Sequence, residues 1–161
     1  MQLDHQRTIP APLAQVWAAL NDNAVLQACI PGCESLVDTD SHSKQAVVVA
    51  AIGPVRAKFT GKLTLADIVE QRSYTLVFEG QGGAAGFSKG SAAVQLLALD
   101  ANTTQLSYQA KVQVGGKLAQ IGSRIVDAAS EKIIADFFKR FETTVCPKPE
   151  QTAESFVGYL G

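Results

Sequence analysis

Five side chains in this sequence are soft enough to bind a metal or act as a thiol or imidazole catalyst: Cys29, Cys33, Cys146, His5 and His42. Two of them sit close together, in "LQACIPGCESL" (26–36), with an Ile-Pro-Gly between. A structural zinc site usually takes four Cys or His ligands, often in C-x2-C or H-x3-H pairs. Here the cysteines are spaced by three residues and the other candidates are scattered singly. A thioredoxin-like redox pair needs C-x-x-C with its first thiol at a helix N-terminus. Cys29 falls instead at the expected end of a helix. The favoured reading is two small apolar side chains beside a Pro31-Gly32 turn, with metal or redox use as the alternative. Acid–base chemistry fares no better. The carboxylates fall at expected turns (Asp38, Asp40, Asp67, Glu70, Asp100) or on an expected outer face (Glu79). No Ser-His-Asp set, P-loop or zinc helix motif is present. We therefore expect no catalytic set and no metal site.

The elements that would hold such groups are legible from periodicity. "QLDHQRTI" (2–9) alternates, with Leu3, His5, Arg7 and Ile9 on one side, and reads as a first strand. "PAPLAQVWAALND" follows, with Pro12 suited to a first helical turn and Leu13, Val16, Trp17 and Leu20 on one face. Asn21 or Asp22 can cap a second short helix over 23–29, which Pro31-Gly32 stops. From about 34 to 115 the pattern is almost wholly strand. In "VRAKFTGKLTLADI" the residues Val55, Ala57, Phe59, Gly61, Leu63 and Leu65 face one way. Tyr74, Leu76, Phe78 and Gly80 do the same in the next strand, and Leu106, Tyr108, Ala110, Val112 and Val114 in the last. One-sided alternation predicts an antiparallel sheet with one wet and one covered face. The cover is residues 116–145. There Leu118, Ile121, Ile125, Ala129, Ile133, Phe137 and Phe141 recur at helical spacing, predicting one helix of about eight turns, roughly 45 Å long.

The expected order is strand, two short helices, six strands, long helix: an α+β fold with a seven-stranded curved antiparallel sheet wrapped around a long C-terminal helix. A bent sheet and a straight helix cannot touch along their whole length, so a gap between them is expected. Residues 1–145 form this domain. Residues 146–161, "CPKPEQTAESFVGYLG", read as a flexible tail with a short apolar end.

Composition narrows the partners. Hydrophobic residues make up 47% and charged residues 18%, with a net charge of −1. No run approaches the ~20 apolar residues of a membrane-spanning helix, and the N-terminus lacks the apolar core of a secretory signal. We expect a cytoplasmic location. No basic tract marks a nucleic-acid partner. Arg56, Lys58 and Lys62 form a small basic stripe read as solvated. "GQGGAAGFSKG" (80–90) lacks the register and strand-to-helix context of a dinucleotide site. It reads as a hairpin between strongly bent strands, with a cavity rim or docking surface as the alternative.

Four stretches together, "IPAPLAQVWAALND…VLQACIPGCESL", "GPVRAKFTGKLTL", "GQGGAAGFSKGSAAV" and "VGGKLAQIGSRIVDAASEKIIADFFKRF", resemble the CoxG family, named for the G component of carbon monoxide dehydrogenase. That family belongs to the wider polyketide-cyclase/START/Bet v 1-like superfamily (SRPBCC). The resemblance covers about 2–145. It implies a helix-grip fold and a non-catalytic accessory role beside a molybdenum-containing hydroxylase of the carbon monoxide dehydrogenase type. Membrane recruitment of that enzyme, or its electron transfer to quinone, is the role implied. It implies no intrinsic cofactor and a quinone or lipid as the bound molecule. Longer members carry a hydrophobic C-terminal extension, so for this chain only peripheral, reversible contact with the inner face of the cytoplasmic membrane is expected.

For a ligand between sheet and helix, the expected lining is Phe59, Leu63, Phe78, Phe87, Tyr108, Leu118, Ile121 and Ile125, with Tyr108 supplying an orienting hydrogen bond. Two other readings stay open at this point. One is a small cavity enzyme of the cyclase, dehydratase or hydrolase kind. The other is an assembly factor whose cavity is filled by its own side chains.

Overall fold

Alternating apolar residues build the sheet strand by strand. A computed structural model describes residues 1–145 of the chain; the expected tail, 146–161, and Cys146 with it, lies outside the described residues. The strands are β1 (Gln2–Ile9), β2 (Cys33–Asp40), β3 (Ser43–Ile52), β4 (Val55–Val69), β5 (Ser73–Gln81), β6 (Phe87–Asp100) and β7 (Thr103–Gly115). All pair antiparallel, in the order β1-β7-β6-β5-β4-β3-β2. Helices α1 (Leu13–Leu20) and α2 (Asn23–Cys29) link β1 to β2, which are the two edges. Laid flat, those edges would be about 29 Å apart at ~4.8 Å per strand. The sheet curls, and the two short helices span what remains.

Local chemistry sets the helix starts. Asp22 caps α2, its Oδ1 accepting from Ala24 N at 2.9 Å and Val25 N at 3.4 Å. The Ile-Pro-Gly turn that ends α2 docks on β3. Gly32 has a φ of +75°, and a Cβ there would collide with the Val49 carbonyl oxygen. The Val49 N–H donates to Gly32 O at 2.9 Å. Only glycine permits both the left-handed backbone and that approach. The opening stretch is thus a docking turn. Cys29 is fully buried and Cys33 partly so, and both are free thiols.

The single long helix expected over 116–145 is corrected by the structure. It is two helices, α3 (Lys117–Gln120) and α4 (Ser123–Val145). Gly122 between them has a φ of +99°, which ends α3, and α4 restarts with the Val126 N–H donating to Gly122 O at 3.2 Å. At 1.5 Å per residue α4 is about 34 Å long, not 45 Å. The break also rotates the buried face. Val126, Phe138, Phe141 and Val145 are buried on α4, whereas Ile125 is 40% exposed.

The core closes at both ends of the sheet. At one end Ile9, Val16, Cys29, Leu106 and Phe141 are fully or almost fully buried, and Thr104 Oγ1 donates to Ala11 O at 2.8 Å within that cluster. At the other, Val55, Ala85 and Leu118 pack with Ile52, Ala57, Phe59, Val114 and Ile121.

Candidate functional site

Between these clusters the sheet and α4 part around a cavity of about 350 Å³. Its floor comes from alternate residues of the long strands: Leu63 and Leu65 (β4), Tyr74, Leu76 and Phe78 (β5), Ala92 and Val94 (β6), and Leu106, Tyr108, Ala110 and Val112 (β7). Its roof is Ile133, Ile134, Phe137 and Phe138 of α4, and Leu20, Leu26, Ile30 and Pro31 close one side. Ala92 and Ala110 are register partners, so two methyl groups meet where larger residues would fill the gap.

No carboxylate, histidine, thiol or aliphatic hydroxyl is among these lining residues; the polar side chains are Lys44, Tyr74 and Tyr108. Lys44 turns its stem to the cavity and its ammonium away. Its Nζ donates to Asn23 Oδ1 at 2.6 Å and Asp38 Oδ1 at 2.8 Å, tying β3 to α2 and β2. The hydrogen bonds from Lys44 and Asn23 hold the Asp38 carboxyl below its usual range. Burial pushes the Tyr74 phenol up to about 12, and Trp17 packs edge-on against its ring at 5.8 Å. Burial also raises the Tyr108 phenol, with Arg7 opposing and Glu131 adding to the shift. Both phenols are therefore hydrogen-bond donors at neutral pH, and neither is a base.

Cys29 and Cys33 lie outside the cavity. Burial raises both thiols, and the Cys29 Sγ lies 3.9 Å from Thr144 Oγ1. Thiols so placed stay protonated and are poor nucleophiles. Among the described residues no group of three or more His, Cys, Asp or Glu is arranged to hold a metal ion. His42 sits exposed in the β2–β3 turn, its Nδ1 2.9 Å from Ser41 Oγ.

Of the residues expected to line a cavity, the structure brings Leu63, Phe78 and Tyr108 together on its wall. Phe59, Leu118 and Ile121 are placed in the cluster at the far end instead. Phe59 there lies across Gly82, and Phe87 covers Gly115, each ring filling space that a side chain would claim. Ile125 faces outward, against Gly53, in an open apolar groove of about 690 Å³ between α4 and β3. Ile30, Pro31 and Ile133 line both groove and cavity, and so form the partition between them. Sequence reasoning missed the α4 pair Phe137 and Phe138 as one unit, because the phase of the helix shifts at Gly122. It also left Arg7 without a role, although alternation had placed it on the inner face of β1 with Leu3 and Ile9.

Comparison with known proteins agrees with this layout. The sequence pattern of CoxG, the G component of carbon monoxide dehydrogenase, matches residues 6–146. No curated protein matches the chain. A conserved protein from Geobacillus kaustophilus is similar in structure, with a TM-score of 0.86, 28% identity, and coverage of 91% of this chain and 96% of that one. A START superfamily protein from Mycobacterium smegmatis (TM-score 0.70, 12% identity, 89% and 96% covered) shares the fold. So does the ZhuI aromatase/cyclase from Streptomyces sp. R1128 (TM-score 0.69, 13% identity, 93% and 97% covered).

Proposed function

Because the chain belongs to the CoxG family of carbon monoxide dehydrogenase components, we propose that it is an accessory protein that binds a hydrophobic molecule. The occupant is quinone- or lipid-like and sits in the cavity between sheet and α4. In this reading the protein helps couple a molybdenum-containing hydroxylase to the membrane, by recruitment or by passing electrons to quinone, and performs no hydroxylation itself.

The observation that carries the reading is the chemistry of the wall. A cavity of about 350 Å³ lies within the usual size of a small-molecule site. Its walls offer aliphatic and aromatic surface with no carboxylate, histidine or thiol, which suits an apolar occupant. Water against such a wall finds few hydrogen-bond partners, so leaving it hydrated is unfavourable. An apolar occupant displaces that water, which is a physical reason for this fold to carry cargo. No helix among the described residues is long and apolar enough to cross a membrane, so membrane contact in this proposal is peripheral.

The test is denaturing organic extraction and mass spectrometry of protein purified gently, without detergent, from its native cells. A stoichiometric isoprenoid quinone or lipid is the expected result. An empty extract from protein shown to be folded would overturn the carrier role.

A further inference from the structure

The open groove between α4 and β3 has the build of a site for an extended chain. Four consecutive β3 residues, Val48, Val49, Ala50 and Ala51, line it. Alternate residues of a strand point to opposite faces, so a lining without gaps marks the strand's edge. Part of that edge is free. The β2–β3 register stops at Cys33↔Val48, while β3 continues to Ile52. The Val49 N–H, on this edge, donates to Gly32 O. By alternation the next N–H and C=O on the same edge are those of Ala51, an exposed residue with no strand beside it on that side among the described residues. Opposite, α4 presents Ile125, Ala128, Ala129 and Ile133. They form one stripe at helical spacing, and the alanines leave room for side chains of another segment. A strand edge facing a helix across an apolar groove can capture a peptide by strand addition.

We infer that the occupant is this chain's own segment 155–160, "SFVGYL", added as a short strand along the Ala51 edge. It is the apolar run in the sequence beyond Val145. The described chain ends on α4, the same helix that walls the groove, and Pro147 and Pro149 are unsuited to prolonging a helix. The groove starts at Asp136, nine residues back from Val145, and reaches Arg124, 21 residues back. At 1.5 Å per residue those points are about 14 Å and 32 Å away. Phe156 and Leu160 follow Val145 by 11 and 15 residues. Such lengths span up to about 36 Å and 50 Å at ~3.3 Å each, so the segment reaches the whole groove with length left for the turn. Charge agrees as well. Arg124 and Lys132 outnumber Asp136 on the groove margin, and Glu150 and Glu154 precede the apolar run. A segment seated there lies over Ile30, Pro31 and Ile133, the partition to the cavity. The inference stands whether or not that cavity holds cargo.

The test is hydrogen exchange of the Ala51 amide, read by NMR on the full chain. Wild type is compared with the double variant Phe156→Asp, Leu160→Asp and with Ala128→Glu, which sets a charge in the groove. The wild-type amide is expected to exchange about tenfold more slowly than in either variant, since an amide bonded about nine-tenths of the time is open for the remaining tenth. Tenfold dilution should leave the wild-type rate unchanged, because a tethered segment docks at an effective concentration set by its own linker. Equal rates in wild type and the double variant would overturn the proposal. Protection that falls on dilution would seat a second copy's segment in the groove and overturn it too. So would protection lost in the double variant but kept in Ala128→Glu, which would put the segment elsewhere. The double variant changes only residues beyond the described fold, so it decides the matter should Ala128→Glu fail to fold.

Discussion

Replacing Ala92 with leucine should make the protein more stable and a worse container at once. Ala92 sits on the cavity floor, opposite Ala110 on β7 and Leu76 on β5. Leucine adds three carbon groups, each contributing about 0.8 kcal/mol when buried. Ordering the longer side chain costs about 0.5–1 kcal/mol, which leaves a net gain of about 1.5 kcal/mol. For a domain of this size that is a rise in Tm of about 3–6 °C. Circular dichroism on delipidated protein reads the first half. The second half is read from Trp17, the single tryptophan, which packs on the cavity residue Tyr74. Quenching of its fluorescence by 2-methyl-3-geranyl-1,4-naphthoquinone should need at least about tenfold more ligand in A92L, since overpacking an occupied site costs about 1–3 kcal/mol. A lower Tm would mean the leucine meets protein and not open space, and the cavity argument would fail. A higher Tm with unchanged binding would place the ligand elsewhere.

Two further outcomes follow from named geometry. Gly32→Ala should destabilise the fold by about 3 kcal/mol, combining left-handed strain with a collision against the Val49 carbonyl, and thermal melts would show it. The Tyr74 phenol gives an alkaline signature. Its folded pKa is about 12 against an ordinary 10, so the folded state holds its proton more tightly. That stability is fully present below pH 10 and is lost as pH rises towards 12, an amount of about 2–3 kcal/mol by linkage. Urea titrations at pH 9 and pH 11.5 should show the loss in wild type and a smaller one in Tyr74→Phe; equal losses would refute it.

The sheet was legible because alternation is a direct record of which face is covered. Leu63, Phe78 and Tyr108 could be placed on the inner face from period two alone, and they do meet at the cavity. The helix was less legible. Leu118, Ile121 and Ile125 continue the same apolar spacing as Ile133 and Phe137, and spacing carries no sign of a left-handed residue at Gly122. One such residue turned Ile125 outward and left Leu118 and Ile121 in a separate cluster. The placing of Phe59 and Phe87 was hidden for a related reason. At the β5–β6 connection and the end of β7, rings lie over glycines, as Phe59 over Gly82 and Phe87 over Gly115. Those rings then fill the far end and not the middle. The meeting of Arg7 and Tyr108 on the Phe138 ring needed the β1–β7 register, which joins the start of the chain to its last strand and which no local window can reveal.

In the proposed carrier role, the partition of Ile30, Pro31 and Ile133 separates how tightly cargo is held from how fast it leaves. It lies between α2, its following turn and α4, so none of the sheet's ladder bonds has to break for a molecule to pass. The turn backbone is fixed by the Gly32–Val49 contact, which leaves the two isoleucine side chains as the moving parts, and rotamer changes are fast compared with backbone opening. The rest of the wall, on β4 to β7, is separate from that partition. Bulk at position 30 or 133 would then lengthen residence while the rest of the wall is unchanged. A carrier that loads at one surface and unloads at another depends on that separation.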